Sequence, residues 1–161
     1  MNKETTKLIL AADHAGFELK NVIKKFLEEE GYSTLDVGAH ELVPEDDFPV
    51  YMTAAALKVA EDLEGNTKAI IFGGSGQGEA MVANRFPGVR AAVWYGDIAR
   101  SDLAGEIVKL SRQHNDSNIL SIGARFVTVD QTKEAVKTWL NTSFSGENKY
   151  KRRNDQIDSI E

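Results

Sequence analysis

The chain has 161 residues, a formal charge of -6, 42% hydrophobic and 27% charged residues, and no cysteine. That size and composition fit one soluble globular domain, expected over residues 1–161. Disulfides, thiolate catalysis and cysteine-held metals are excluded, His14, His40 and His114 lack metal-ligand spacing, the acidic balance argues against nucleic acid, and the apolar runs are too short for a membrane span.

Met1-Asn2-Lys3-Glu4 runs into a strand without the apolar stretch of a secretory signal, so a cytoplasmic protein is expected. Lys7 to Ala12 reads as that strand, and Asp13-His14-Ala15-Gly16 as a polar break after it. Leu19, Val22, Ile23, Phe26 and Leu27 recur at helical spacing, with Gly31 as terminator. Tyr32 to Val37 reads as a second strand and Gly38 to Asp47 as a loop. Pro49 opens a helix that ends near Gly65-Asn66. After the central strand and a helix from Glu79 to about Arg85, Val89 to Tyr95 reads as the fourth strand, Gly96 to Arg112 as mostly helical and Asn118 to Gly123 as the fifth strand. Thr128 with Gln131 has the form of a capping box, and Ser145-Gly146-Glu147 begins a charged final helix. Alternation of strands and helices predicts a three-layer α/β/α fold around a five-stranded parallel sheet of Rossmann-like type, with ligands beyond the carboxyl ends of the strands.

Ala69-Ile70-Ile71-Phe72 followed by Gly73-Gly74-Ser75-Gly76-Gln77-Gly78-Glu79 is the centre of the pattern. An apolar strand runs into a turn with four glycines in six positions, then into a helix whose amides suit an anion or a developing negative charge. The phosphate loop of nucleotide hydrolases needs Gly-Lys-Ser/Thr where this chain has Gly-Glu-Ala, and the dinucleotide fingerprint is also missing. A carboxylate facing an amide cradle suits proton transfer, although Glu79 equally suits the helix dipole. Asp13 fits either an N-cap or a ligand contact, His14 a loop or a site, and His114 a helix end or a catalytic group. Lys149, Lys151, Arg152 and Arg153 form a basic cluster that reads as a solvated face or a phosphate site, Lys149 and Arg153 sharing one helical face.

Together these stretches resemble the sugar-phosphate isomerase family that contains ribose-5-phosphate isomerase B and the galactose-6-phosphate isomerase subunits. The resemblance rests on Ala12-Asp13-His14-Ala15-Gly16, Asp47-Phe48-Pro49, the Gly73 to Glu79 turn with Ala83-Asn84, Ser111-Arg112-Gln113-His114-Asn115-Asp116, and Gly123-Ala124-Arg125. Many members have a cysteine base where this chain has Gly73; another branch uses a glutamate at the position of Glu79, and this sequence is similar to that branch. The resemblance implies interconversion of ribose 5-phosphate and ribulose 5-phosphate through an enediolate, without metal or organic cofactor. Glu79 would be the base, Ser75 and the amides around Gly74, Gly76, Gln77 and Gly78 would stabilise the oxyanions, and His114 would open the sugar ring. Asp13 and Asn115 would hold hydroxyls beside His14, while Arg125, Lys149 and Arg153 would bind phosphate, the last of them from a neighbouring subunit.

That arrangement implies a homodimer or dimer of dimers with shared active sites, reached through the C-terminal helix. Two departures stand out: Lys149-Tyr150 replaces a common Arg-His, and the segment between Trp94 and His114 is several residues longer. An isomerase of six-carbon sugar phosphates, a non-catalytic sugar-phosphate-binding subunit and a flavodoxin-like nucleotide or flavin module are the competing expectations.

Overall fold

Strands that bury both faces belong in the middle of a layered structure, and the computed structural model, described over residues 6–96 and 106–160, shows that arrangement. Among the described residues the elements are β1 Lys7–Ala12, α1 Phe17–Glu29, β2 Ser33–Asp36, α2 Phe48–Ala60, β3 Thr67–Gly73, α3 Gln77–Ala83, β4 Ala91–Trp94, α4 Glu106–Asn115, β5 Ile119–Gly123, α5 Val129–Asn141 and α6 Asn148–Asp158, with a 3-10 turn at Ala124–Phe126. All neighbouring strands are parallel, in the order β2-β1-β3-β5-β4. Period-two alternation divides the core. Leu8, Leu10, Ile70, Phe72, Leu120 and Ile122 pack against α1, α4 and α5 through Ile23, Val108, Val136 and Trp139. Their neighbours Ile9, Ala11, Ala69, Ile71 and Ile119 pack on Met52, Ala55, Ala56 and Val59 of α2 and Ala83 of α3. Burial of these side chains contributes about 1.5–3 kcal/mol for each large aliphatic or aromatic group.

Local signals set the ends of several elements. The capping box forms, with Thr128 Oγ1 accepting from the Gln131 amide at 3.2 Å and Gln131 Oε1 accepting from the Thr128 amide at 2.9 Å. Pro49 sits in the first turn of α2, where its missing N–H costs nothing. The second and fourth strands are shorter than the sequence suggests, ending at Asp36 and Trp94. Of the helix expected from Gly96 to Arg112, the part from Glu106 is seen, and residues 97–105 lie outside the described residues. Within the described residues no helix is long and apolar enough to cross a membrane.

The last helix packs on its own chain. The Tyr150 ring stacks on His114 with centroids 4.0 Å apart, Asn154 Nδ2 donates to the His114 carbonyl at 3.3 Å, and Arg90 Nη1 donates to Asp158 at 2.8 Å. These contacts hold α6 beside α4 and the start of β4.

Candidate active site

The chain leaves β1 toward one edge of the sheet and leaves β3 toward the other, so a crevice opens above the carboxyl ends of these adjacent strands. A pocket of about 300 Å³ lies there, lined by Asp13, His14, Phe48, Ser75, Glu79 and Arg125 among others. Asp13 and Glu79 are the buried acidic residues of the described chain, each 5% exposed, and both face this pocket. Two larger depressions of about 410 and 460 Å³ hold neither of them. Chemistry, not volume, singles out the site.

The glycine turn places Glu79. Gly76 adopts φ +78°, a left-handed conformation open to glycine, and its carbonyl accepts from the Ser121 hydroxyl at 2.7 Å and the Ala80 amide at 3.2 Å. The chain thereby reverses into α3 and brings the Glu79 carboxylate back under the end of β3. A Cβ built on Gly73 would lie 1.7 Å from Glu79 Oε1 and 2.1 Å from its Cδ. The carboxylate therefore fills the space that a side chain at position 73 would occupy. Burial pushes its pKa up, its own amide and that of Gly76 oppose the shift, Asp13 adds to it and Arg125 opposes it. A carboxyl group raised in this way is poised to accept and return a proton.

The other walls come from the ends of β1 and β5 and from the loop before α2. Asp13 Oδ1 accepts from the amides of Ala15 at 3.0 Å and Gly16 at 3.2 Å, so it ties the turn that leads into α1, whose N-cap is Gly16. Its Oδ2 lies 4.0 Å from His14 Nδ1. Asp46 Oδ1 accepts from the His14 amide at 2.9 Å and pairs with His14 Nδ1 at 2.7 Å. The hydrogen bond that Asp46 accepts from the ring raises the His14 pKa; burial and Arg125 oppose that, and the Asp13 charge supports it. Burial raises the Asp46 carboxyl, but the His14 amide, the His14 ring and the Tyr51 hydroxyl together hold it below its ordinary value. Arg125 lies over Gly74, where a Cβ would meet its Cζ at 3.2 Å, and Ser75 Oγ accepts from the Gln77 amide at 3.3 Å. Gly74, Ser75 and Gly78 line the pocket, while Gly76 and Gln77 shape the turn without lining it.

Asp13, His14 and Asp46 offer ligand atoms within 4.8 Å of one another. His14 Nδ1 and Asp46 Oδ1 are bonded to each other, so neither atom is free for a cation.

Four predicted residues stand elsewhere. α4 ends at Asn115, four residues ahead of β5, so His114 and Asn115 lie at the amino end of the sheet, one strand length of roughly 13 Å or more from the pocket. Within one chain His114 and Asn115 therefore stand apart from Asp13 and Glu79. Asn115 lines a separate groove with Asn84, Arg90 and Ile157. Lys149 pairs with Glu147 at 2.9 Å, and Arg153 is exposed on α6. Conversely, Asp46 and Phe126 are at the site without having been singled out from the sequence. Asp46 sat unmarked in the acidic pair Asp46-Asp47, and nothing local separates the two.

A doubly wound parallel sheet with a buried carboxylate and a glycine turn at its switch point defines an α/β protein built to bind a small molecule and move a proton. The Ribose/Galactose Isomerase family matches residues 8–157, and the chain belongs to that family. It is 34% identical over 155 residues to ribose-5-phosphate isomerase B of Mycolicibacterium paratuberculosis, covering 96% of this chain and 91% of the relative. The Escherichia coli ribose-5-phosphate isomerase B is 34% identical over 156 residues, covering 96% of each chain. Among solved structures, ribose-5-phosphate isomerase B of Mycoplasma genitalium with bound ribulose-5-phosphate superposes with a TM-score of 0.87 at 29% identity, covering 96% of this chain and 95% of that one.

Proposed function

We propose that the protein is an aldose-ketose isomerase that interconverts ribose 5-phosphate and ribulose 5-phosphate. The observation that carries the assignment of the base is the Glu79 carboxylate lying in the space a side chain at position 73 would fill. The relatives named as ribose-5-phosphate isomerase B over nearly the full chain support the substrate pair.

In the open-chain aldose, Glu79 takes the proton from C2, and the electron pair of that bond forms the C1–C2 double bond of an enediolate. The hydroxyl proton then passes from the C2 oxygen to the C1 oxygen, and as C2=O forms C1 takes the proton back from the same carboxyl, which gives the ketose and restores the base. Negative charge on the two oxygens is stabilised by Ser75 and by the amides of the Gly74 to Gly78 turn. Proton transfer of this kind needs neither metal nor organic cofactor, and burial of Glu79 keeps water from competing for the carbanion. Asp13 holds a sugar hydroxyl and Arg125 the phosphate.

His114, Asn115, Lys149 and Arg153 complete the site from a second copy. Within one chain they stand at the far end of the sheet, so ring opening by His114 and phosphate binding by the α6 cations require another subunit's pocket. The working form is thus a homodimer or dimer of dimers, acting in the cytoplasm. A panel of pentose and hexose phosphates assayed for aldose-ketose conversion tests the assignment. Turnover of ribose 5-phosphate above all others supports it. Preference for a six-carbon sugar phosphate, or binding without turnover of any substrate, contradicts it.

A further inference from the structure

His14 lines the pocket and is held by a residue that does not. Asp46 reaches it across 32 residues of sequence, and one carboxylate oxygen accepts both its amide and its Nδ1. The Asp46 side chain is 8% exposed, while that of His14 is 32% exposed at the pocket. The loop carrying Asp46 is itself anchored: Lys20, fully buried in α1, donates to both oxygens of Asp36 at 2.7 and 2.9 Å and to the carbonyls of Gly38 and Ala39. Tyr51 of α2 also faces Asp46, whose acceptance of the phenol proton raises the phenol's pKa. With Nδ1 held by Asp46, Nε2 is the ring nitrogen left for a ligand, and it donates when the ring is protonated. The charged groups facing His14 are Asp46 from the loop, Asp13 from the end of β1 and Arg125 from the end of β5.

We propose that Asp46 is a positioning residue that keeps His14 protonated, so that its Nε2–H stands with Arg125 as a donor to an anionic oxygen of the sugar phosphate. The inference rests on the isomerase reading and deepens it: a group that does not touch substrate extends toward higher pH the range over which the site holds a sugar phosphate. Asp46 is built for this because its two bonds to His14 fix both where the ring sits and which nitrogen is free. An exposed histidine without this partner loses its charge near pH 6.5, at about the point where the substrate phosphate gains its second.

The test is a titration of the His14 ring Cε1–H by NMR in the ligand-free protein, its signal assigned by its loss in His14→Gln, for wild type and Asp46→Asn. The wild-type midpoint should lie above that of an unperturbed histidine, and Asp46→Asn should move it down. Kinetically, Asp46→Asn should raise KM for ribose 5-phosphate about tenfold at about pH 8, far less at about pH 6 where His14 is protonated without help, and leave kcat within about threefold. Asp46→Glu, which keeps the charge, should recover part of the affinity. A wild-type midpoint at or below the ordinary value overturns the proposal, and that measurement stands even if Asp46→Asn does not fold. So does a KM rise equal at both pH values, which marks a structural role. A shifted midpoint in a protein with no isomerase activity overturns the isomerase reading alone.

Discussion

Gly73→Ala is the substitution that the geometry constrains most tightly. The added methyl would lie 1.7 Å from Glu79 Oε1, 2.1 Å from Cδ and 2.7 Å from Cγ, whereas non-bonded carbons settle at about 3.5–4.0 Å. The carboxylate must therefore retreat by about 1.5–2 Å. Gly73 is not among the positive-φ glycines, so the backbone itself accepts alanine and the strain falls on Glu79. Overpacking of this kind costs about 1–3 kcal/mol, offset in part by about 0.4–1 kcal/mol from the stiffer unfolded chain. Stability should thus fall by no more than about 2–3 kcal/mol, leaving a folded protein whose main loss appears in catalysis. Misplacement of a reacting group by about 1 Å costs about 100-fold, so turnover of ribose 5-phosphate should fall at least that far. Initial rates in both directions, with a thermal melt to confirm folding, read the effect. A folded Gly73→Ala protein that turns over within about threefold of wild type would refute the link between position 73 and the base.

Two further outcomes follow from the site. Burial raises the Glu79 pKa above its ordinary 4.5, so the native state binds the proton more tightly and stability falls as pH rises through the interval between the two values. Glu79→Gln removes a buried charge and should raise the neutral-pH melting temperature, a gain that disappears as the pH falls below the ordinary carboxyl value; equal melting curves at about pH 7 would contradict the burial argument. Mixing inactive Glu79→Gln with inactive Arg153→Ala under conditions of subunit exchange should restore activity, because a hybrid dimer has one site with both defects and one with neither. Confirmed exchange with no recovery would return α6 to a solvated surface helix.

What was legible in the sequence is what depends on neighbours in sequence. The capping box at Thr128 and Gln131 and the strand-turn-helix around Gly73 to Glu79 are local and the structure holds both, while the equally local apolar stripe of α1 keeps Leu19, Ile23, Phe26 and Leu27 on the core but leaves Val22 exposed. Asp46 was not legible, because its partner His14 is 32 residues away and nothing in an acidic pair says which member turns inward. Gly73 shows the converse. In sequence it reads as a missing side chain, yet in space the vacancy is filled by a residue six positions on, a relation that only the left-handed turn at Gly76 brings about. The motif carrying His114 reads as active-site material, while chain order puts the end of α4 at the amino edge of a parallel sheet. The two facts agree once a second copy is allowed.

The central claim is that Glu79 moves the proton between C1 and C2, and Glu79→Gln tests it most directly. The amide keeps the size and the contacts of the side chain but has no basic oxygen. Isomerisation of ribose 5-phosphate and exchange of its C2 hydrogen with solvent should both fall by about 10³-fold or more, with sugar-phosphate binding retained within a few fold. Near-normal isomerisation or exchange by a folded Glu79→Gln protein would contradict the account.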